Sequence, residues 1–301
     1  MPNLEPVVRR AYAKVNLALA VGPAIAPARA GAGYHPIASW MHAIDLFDDV
    51  AARRLPEGAA SRHRVAWAVD APRPSPIDWP IEKDLAVRAH RALEAAAGQE
   101  LPVELTVTKR VPVGGGLGGG SSDAAATLVL LDELFGLGLG RERLAAIGLK
   151  LGSDVPFFVD DAPPRPAVVA GLGERVERQR RVEGEVVLVL APFGCATGAV
   201  YRAFDERAGA ELREAPVKSL AAGGRIESGA LFNDLAWAAE RVEPRLGELR
   251  RRAEAVAGGP VQMTGSGSAL FIPVAPVSGA AVEAKLRAKL ADVGVVRTRL
   301  V

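Results

Sequence analysis

The stretch PVGGGLGGGSSDAAATLVLL, residues 112–131, places six glycines within seven residues, ahead of an apolar segment. Directly before it, VELTVTK (residues 103–109) alternates apolar and polar side chains, which predicts a half-buried β-strand. After the glycines the pattern predicts a helix over Ser122–Phe135 that ends at Gly136. The order of strand, glycine loop and helix predicts a site where another group approaches bare backbone.

This order of elements is a common way to bind phosphate. The N–H groups of a first helical turn have no partner inside the helix and carry partial positive charge. Glycines supply the positive φ angles that an anion cradle needs. The hydroxyl groups of Ser121 and Ser122 could contact a phosphate oxygen or Mg²⁺. The stretch therefore indicates a site for a nucleotide triphosphate; the alternative is a flexible turn that merely connects strand and helix.

Two commoner phosphate loops do not fit the stretch. A Walker A loop ends in Gly-Lys-Ser/Thr, whereas Gly120 is followed directly by Ser121. Three of the glycines satisfy G-x-G-x-x-G, but so glycine-rich a stretch matches that pattern easily. A dinucleotide site also needs an acidic residue at the end of a second strand, whereas Asp132 lies inside the predicted helix.

The composition is that of a globular protein with one large domain or two ordinary ones. Of 301 residues, 49% are hydrophobic and 24% charged, the formal charge is +2 and the pI is near 8.8. No basic run with interleaved aromatic residues occurs, so we expect no nucleic-acid partner. No apolar leader and no 18-residue apolar run occur, and Cys195 is the single cysteine, which excludes an intramolecular disulfide. We expect a cytoplasmic protein without a membrane span, with Cys195 as small buried filler.

The remaining pattern mixes strands and helices without a regular βαβ rhythm, which predicts an α+β fold. Strands are expected near 6–20, 43–53, 61–69, 186–191, 268–274 and 294–301. Helices are expected near 82–98, 141–151, 198–206, 232–256 and 279–291, and the segment 160–167 is the best linker candidate.

Three stretches resemble the sequence motifs of the GHMP kinase superfamily. PVGGGLGGGSSDAA is similar to the second motif, AYAKVNLAL (residues 11–19) to the first, and MTGSGSALF (residues 263–271) to the third, a second glycine loop. The resemblance implies a two-domain GHMP kinase fold with the active site in the cleft between the domains. It implies an N-terminal mixed-sheet ATP-binding domain over residues 1–163 and a C-terminal ferredoxin-like α/β domain over residues 164–301.

The residues within and around these motifs resemble one branch of the superfamily, the kinases of 4-diphosphocytidyl-2-C-methyl-D-erythritol in non-mevalonate isoprenoid biosynthesis. GYHPIASWMHAIDL, LGSDVPFFV and FNDL carry this part of the resemblance. It implies transfer of the ATP γ-phosphate to the 2-hydroxyl of the cytidyl substrate, with Mg²⁺ expected. The implied ATP-binding residues are Pro112, Val113, Gly114, Gly115, Gly116, Leu117, Gly118, Gly119, Gly120, Ser121 and Ser122, with Ser122 a possible Mg²⁺ ligand.

Two charged residues are candidates for the chemistry. Lys14 is one of seven lysines in a chain with thirty arginines and lies between apolar residues of a predicted strand. Asp154 precedes an apolar run, where an unpaired carboxylate is costly to bury. Without the motifs, an outward-facing strand lysine and a helix or turn cap remain the alternatives. The resemblance implies that Asp154 accepts the hydroxyl proton and that Lys14 keeps this carboxylate ionised.

Substrate recognition is expected from residues in three parts of the chain. The resemblance implies that Tyr34 stacks on cytosine, that His35 hydrogen-bonds the base edge, and that Tyr201 covers the other face. Asn16 lies two residues after Lys14, hence on the same strand face, and could hold the substrate. The second glycine loop adds the substrate-binding residues Thr264, Gly265, Ser266 and Gly267.

Two positions depart from the branch pattern. The branch usually has Gln where this chain has His42, which puts a polar contact near the cytidine pocket in doubt. It usually has Asn where this chain has Asp84, and an ionised acid near the adenine cannot donate the same hydrogen bond. The four histidines show no ligand-like spacing, so a zinc site is not expected.

Two rival hypotheses remain at this stage. One is a GHMP kinase for another small alcohol such as homoserine, mevalonate or a sugar, against which the GYH and IDL stretches argue. The other is a non-catalytic ligand sensor on the same scaffold, which should have lost Lys14 or Asp154; both are present. The expected partners are small-molecule substrates, and no protein partner is implied.

Overall fold

Strands and helices follow one another along the chain without a repeating order. The structure, a computed structural model, describes residues 5–207 and 209–301. Within these ranges no helix combines the length and apolarity that a membrane span requires. In chain order the elements are β1 (Val7–Val21), β2 (Ile37–Arg54), β3 (Arg62–Trp67), α1 (Leu85–Ala97), β4 (Val103–Lys109), α2 (Gly119–Phe135), α3 (Gly140–Leu149), α4 (Val155–Phe158), β5 (Ala167–Gly171), β6 (Arg175–Arg178), β7 (Glu185–Leu190), α5 (Thr197–Asp205), α6 (Glu214–Gly223), β8 (Phe232–Asn233), α7 (Ala236–Val242), α8 (Pro244–Ala257), β9 (Gln262–Met263), β10 (Leu270–Val274), α9 (Pro276–Lys289) and β11 (Gly294–Arg299).

The larger sheet has seven strands and mixes parallel and antiparallel pairs. β2 pairs antiparallel with β5 over residues 37–41 and with β4 over residues 49–54. β3 runs parallel to β4, β8 runs parallel to β1, and β6 runs antiparallel to β5. The first eight residues of β2 are buried on both faces and alternation begins only after Ile44. Because a strand buried on both faces lacks the period of two, the sequence predicted only residues 43–53 of it.

The smaller sheet is antiparallel and has the strand order β11, β7, β10, β9. In its register Val187 of β7 lies opposite Ile272 of β10 and Arg297 of β11. The β7 residues 186–190 are buried, α9 packs against β7 and β11, and α8 packs against α9. Two sheets with helices that do not alternate regularly confirm the predicted α+β class.

The chain forms two compact units. The first, unit 1, consists of the described part of Met1–Ala13 together with Leu46–Val111 and Gly118–Pro164. The second, unit 2, consists of Lys14–Asp45, Pro112–Leu117 and Arg165–Val301. The long strands β1 and β2 therefore contribute residues to both units, and so does the glycine-rich stretch. A domain boundary between residues 163 and 164 stays a prediction; the longest segment of unit 2 begins at Arg165.

The single helix expected over residues 232–256 is wrong. The structure has the short strand β8 there, followed by α7 and α8. Pro244 is the first residue of α8 and cannot donate the backbone hydrogen bond that a continuous helix would need. Glu243 instead caps the new helix by accepting a hydrogen bond from the N–H of Arg245 at 3.3 Å.

Candidate active site

The two glycine loops pack against each other within unit 2. A Cβ atom on Gly116 would lie 2.3 Å from the carbonyl oxygen of Thr264, and one on Gly265 would lie 2.8 Å from that of Gly116. Both glycines also have positive φ angles, 74° and 58°. The glycines were expected to make room for an anion. At Gly116 and Gly265 the space that a side chain would occupy is instead filled by the backbone of the other loop.

Gly114 in the first loop faces open space. It is exposed, its φ is 70°, and a Cβ atom there would meet nothing within 4 Å. Val113 beside it is also exposed. The carbonyl of Gly115, in contrast, accepts a hydrogen bond from Ala269 at 3.1 Å. The loop therefore has one side anchored on the second loop and one side accessible to a ligand.

The helix α2 starts within the glycine stretch in unit 1. It begins at Gly119, three residues before the predicted start, and Gly118 is its N-cap with a φ of 73°. Because Gly118 has no side chain, it makes no cap hydrogen bond to the N–H groups of the first turn. Ser121 is half-buried and Ser122 is buried. An uncapped helix start of at least four turns suits an anion such as phosphate.

Lys14 and Asn16 join β1 to both glycine loops in unit 2. The Lys14 side chain is 2% exposed, and its Nζ donates to Asn16 Oδ1 at 2.6 Å and to the carbonyl of Gly116 at 2.9 Å. Asn16 Oδ1 also accepts from Thr264 Oγ1 at 3.1 Å and from the N–H of Gly265 at 2.9 Å. The shared strand face predicted for Lys14 and Asn16 is thus a hydrogen-bonded unit that fixes the Lys14 ammonium.

Two residues that the sequence analysis did not single out support this arrangement. Ser39 accepts a hydrogen bond from Asn16 Nδ2 at 2.7 Å. Asn233 Nδ2 donates to the carbonyls of Met263 and Gly265, both at 2.9 Å, and so holds the second loop. The signal for Asn233 was the FNDL stretch, whereas nothing in the local pattern marked Ser39.

Asp154 lies in unit 1 on the turn before α4. It is half-buried and occupies the N-cap position, but its side chain does not cap the helix. A Cβ atom on Gly152 would lie 3.6 Å from Ser121 Oγ, and α4 packs against α2. The turn that carries Asp154 therefore lies against the start of α2, where phosphate binding is expected.

The remaining residues of the second loop are also anchored within unit 2. Ser266 Oγ lies 2.9 Å from Thr197 Oγ1 at the start of α5. A Cβ atom on Gly267 would lie 3.0 Å from Met263 Sδ and 3.4 Å from Cys195 Sγ. Burial raises the pKa of Cys195 to about 11, so this thiol is a poor nucleophile and fits the expected role as buried filler.

His35 is packed among aromatic and polar groups in unit 2. Its Nδ1 donates to the carbonyl of Gly22 at 2.9 Å, and its Nε2 lies 3.4 Å from Asp205 Oδ1. The imidazole centroid is 5.0 Å from the ring of Tyr201 and 5.8 Å from that of Phe204. Phe204 and Asp205 were missed, although both follow Tyr201 by three and four residues on α5, the spacing of one helix face.

Tyr34 differs from its neighbour in exposure. Its side chain is 68% exposed, whereas His35 is buried. An exposed ring beside a buried aromatic group is a stacking surface available to a ligand. The structure thus brings His35 and Tyr201 together, and Tyr34, the residue before His35, is exposed to solvent.

His42, one of the two departures from the branch pattern, is fully occupied inside the protein. Its Nδ1 donates to the carbonyl of Ala43 at 2.9 Å and its Nε2 accepts from the N–H of Val182 at 3.2 Å. Burial lowers the pKa of His42 to about 4. The side chain is therefore neutral and both ring nitrogens are used for structure.

Asp84, the other departure, is the N-cap of α1. Its Oδ1 accepts from the N–H of Ala86 at 2.9 Å, and its Oδ2 accepts from Trp79 Nε1 at 3.2 Å. Both oxygens serve as acceptors, whereas the amide of Asn has only one oxygen that could accept. The substitution is thus suited to helix capping, and it leaves no donor at this position.

A Mg²⁺ site in this protein would need oxygen ligands from a bound phosphate as well as from side chains. Among residues 5–207 and 209–301, no group of three or more His, Cys, Asp or Glu side chains could enclose a metal ion. Mg²⁺ usually takes one or two protein oxygens and completes its shell with phosphate oxygens and water. The hydroxyl groups of Ser121 and Ser122 at the start of α2 are donors of this kind and fit Mg²⁺ bound with ATP.

Comparisons with known proteins point in the same direction as the motifs. Residues 84–161 match the family of GHMP kinases N terminal domain. The 4-diphosphocytidyl-2-C-methyl-D-erythritol kinase of Kineococcus radiotolerans is 39% identical over 269 residues, which cover 85% of this chain and 79% of that protein. A crystal structure of a 4-(cytidine 5'-diphospho)-2C-methyl-D-erythritol kinase is 32% identical with a TM-score of 0.73, covering 98% of this chain and 99% of that one. Methanococcus jannaschii mevalonate kinase, 12% identical with a TM-score of 0.67 over 100% of both chains, shares the fold alone.

Proposed function

Because the chain belongs to the 4-diphosphocytidyl-2-C-methyl-D-erythritol kinase family of GHMP kinases, we propose that it transfers the γ-phosphate of ATP to the 2-hydroxyl of 4-diphosphocytidyl-2-C-methyl-D-erythritol. This step belongs to non-mevalonate isoprenoid precursor biosynthesis. The observation that carries the proposal from the structure is the buried Lys14 ammonium, which is hydrogen-bonded to the backbone of the first glycine loop. A fixed cation attached to a phosphate loop is what phosphoryl transfer requires.

ATP is assigned to the stretch Pro112–Ser122. The open backbone at Gly114 and the uncapped start of α2 provide N–H groups for the phosphates, and the hydroxyl groups of Ser121 and Ser122 add two more contacts. Mg²⁺, when bound, would neutralise charge on the transferred phosphoryl group, and Ser122 is the protein ligand that we assign to it. The packing of Gly116 against the second loop keeps this backbone in place.

The chemistry is assigned to Asp154 and Lys14. Asp154 would accept the proton of the 2-hydroxyl as this oxygen attacks the γ-phosphate. Its half-buried position on the turn beside α2, with no capping duty, supports that role. Lys14 would keep the carboxylate ionised and stabilise negative charge in the transition state. Asn16 holds Lys14 by accepting from its Nζ.

The cytidyl substrate is assigned to residues of unit 2. Tyr34 offers an exposed ring for stacking on cytosine, Tyr201 packs against His35, and His35 supplies polar ring atoms for the base edge. Asn16 and the second-loop residues Thr264, Gly265, Ser266 and Gly267 are proposed to contact the part of the substrate near the reacting hydroxyl. A cytoplasmic location is part of the proposal, because a chain with a single cysteine suits a reducing compartment.

Release of ADP with different acceptors tests the proposal. The purified enzyme with ATP and Mg²⁺ should release ADP with 4-diphosphocytidyl-2-C-methyl-D-erythritol, and far more slowly with mevalonate, homoserine or galactose. A faster reaction with one of the other alcohols would identify a different kinase of the same superfamily. Binding of ATP and cytidyl substrate without any ADP release would instead identify a ligand sensor.

A further inference from the structure

Lys109, the last residue of β4, lies buried between two carboxylates of unit 1. Its Nζ donates to Asp48 Oδ2 at 2.6 Å and to Asp123 Oδ2 at 2.7 Å. All three side chains are at most 4% exposed. We refer to Asp48, Lys109 and Asp123 as the buried cluster. None of these residues has a role in the assignments above.

The buried cluster holds both ends of the first glycine loop. At the strand end, Asp48 Oδ1 accepts hydrogen bonds from the N–H groups of Arg110 and Val111, the latter at 2.7 Å. At the helix end, Asp123 is in the first turns of α2, one residue after the second serine. A Cβ atom on Gly119 would lie 2.9 Å from Val111 Cγ1 and 3.7 Å from Asp48 Oδ2. The strand end and the helix start are therefore in direct contact through this cluster.

The buried cluster contains more carboxyl groups than ammonium groups. Two carboxylates face one ammonium, and Asp123 Oδ1 is buried with no hydrogen-bond partner among the described residues. Burial raises the pKa of Asp123 well above its ordinary value, against the opposing effect of Lys109, and Asp84 at the start of α1 adds to the rise. Burial would lower the pKa of Lys109, but the two carboxylates outweigh it and raise the pKa. Burial thus disfavours the ionised form of Asp123, and the Lys109 ammonium is the group that counteracts this cost.

Stability alone does not explain such a cluster. Replacing buried ionic groups by apolar side chains of similar volume is often neutral or stabilising. The position of the buried cluster is more informative. A helix start attracts anions through its partial positive charge, and an uncompensated carboxylate in the first turns opposes that attraction for a second anion. Lys109 removes this opposition, while Asp48 fixes the backbone where the loop begins.

We propose that Asp48, Lys109 and Asp123 are positioning residues for ATP, which fix the ends of the phosphate loop and prevent the carboxylates behind it from repelling the phosphates. The inference rests on the proposed function, because that function assigns the ATP phosphates to this loop. It extends the set of residues that determine ATP affinity to three side chains buried behind the loop.

Lys109→Met tests the inference because it removes the ammonium and leaves two carboxylates uncompensated. The dissociation constant for ATP, measured by calorimetry on the full chain, and the KM for ATP should both rise about tenfold or more, while the KM for the cytidyl substrate changes less than about threefold. Leu131→Ala is the matched control. Leu131 is buried about two turns further along α2, so this variant loses stability through a cavity and should keep the ATP affinity.

Asp123→Asn, added to Lys109→Met, provides a rescue that packing cannot provide. Asn keeps the shape of Asp and removes one negative charge, so the double variant should recover about half of the lost binding free energy or more. Packing alone predicts no recovery, because the space left by the lysine remains. If Lys109→Met does not fold, Lys109→Gln replaces it; Gln keeps N–H donors without the charge, and the same loss and rescue are expected.

Three results would overturn the inference. The first is an ATP affinity of the Lys109 variants equal to that of the wild type. The second is no recovery with Asp123→Asn, and the third is an equal rise of KM for both substrates, which indicates general destabilisation. A wild-type enzyme that binds no ATP would overturn the proposed function as well, whereas ATP binding by the wild type with unchanged variants overturns the buried cluster alone.

Discussion

Lys14 and Lys109 are both buried, whereas the other five of the seven lysines are exposed. The two contact different parts of the chain. Lys109 donates to two carboxylates of unit 1. Lys14 donates to the amide oxygen of Asn16 and to the carbonyl of Gly116 in unit 2. Both lysines are therefore buried, but Lys109 lies within the cluster beside the start of α2, whereas Lys14 is bonded to the backbone of the first glycine loop itself.

This difference indicates what each ammonium does. The two carboxylates compensate the charge of Lys109. We therefore expect Lys109 to affect the position of the first glycine loop and the charge next to it, and not the reacting groups. The hydrogen bonds to Asn16 and Gly116 hold the Lys14 ammonium at the first glycine loop, where we propose that it acts on the reacting groups. The comparison predicts that substitutions at the two lysines affect different kinetic constants.

Turnover should show the largest effect, and it should come from Lys14 and Asp154. Lys14→Met and Asp154→Asn should each lower kcat by about 10²–10⁴-fold, the usual contribution of general-base catalysis, with smaller changes in the KM of either substrate. Lys109→Met should act mainly on the KM for ATP. Steady-state kinetics with varied ATP and varied cytidyl substrate separate these outcomes.

The double variant Lys14→Met/Asp154→Asn checks whether the two residues act as one unit. Its kcat should be little lower than that of either single variant, because residues of one catalytic unit show non-additive losses. Multiplicative losses would show that they act independently. Retention of more than roughly a tenth of wild-type turnover by Asp154→Asn, above the range for a lost base, would contradict the mechanism.

Gly116→Ala tests the packing of the two glycine loops at the residue whose carbonyl accepts from Lys14. Its effect on the unfolding free energy should be the next largest. An Ala there adopts an unfavourable positive φ and its Cβ meets the Thr264 carbonyl, so the unfolding free energy should fall by about 2–4 kcal/mol. Gly98→Ala is the matched control, since Gly98 has a φ of 68° but nothing within 4 Å of the added atom. Urea unfolding should give about 1–2 kcal/mol for this control. Equal losses for the two variants would mean that the loops do not constrain each other.

The sequence predicted the parts of this site that depend on local pattern. The strand over Val103–Lys109 has the bounds that were expected, and α2 ends at Phe135 as predicted. Alternation and a glycine stop are local signals, so they are readable without the fold. The motifs likewise located Lys14, Asn16 and both glycine loops.

Contacts between distant parts of the chain were not predictable in this way. Asp48 and Lys109 are separated by 61 positions, and no local pattern links them. The packing of Gly116 against Gly265 was likewise read as room for an anion, since a glycine's sequence context does not reveal its neighbour. The predicted start of α2 was three residues too late because glycines are unfavourable in helices. In the structure, Gly119 and Gly120 nevertheless form part of the first turn. Propensity describes the chain locally, whereas these features depend on tertiary packing.

His42 extends the comparison to a buried base that burial keeps neutral. Its pKa falls from 6.5 to about 4 because of burial, so it stabilises the fold above pH 6.5 and this contribution is lost as the pH falls from 6.5 to 4. The contribution amounts to about 3 kcal/mol. His42→Gln, which keeps a donor and an acceptor, should therefore flatten the decrease of unfolding free energy over this pH range. Urea unfolding at several pH values measures it, and an unchanged slope would contradict the assignment.

Tyr34→Ala should have the smallest effect and tests whether an exposed aromatic side chain marks a ligand surface in unit 2, the unit that also contains Lys14. Stacking of a base on an aromatic ring is worth roughly 1–3 kcal/mol, so the KM for the cytidyl substrate should rise about 5- to 150-fold. Because the Tyr34 side chain is 68% exposed, the melting temperature and the KM for ATP should hardly change. Tyr34→Phe keeps the ring and should retain most of the affinity. If Tyr34→Ala instead raised the KM for ATP, the nucleotide and the cytidyl substrate would have been assigned to the wrong residues, and Lys14 would then have to be assigned anew as well.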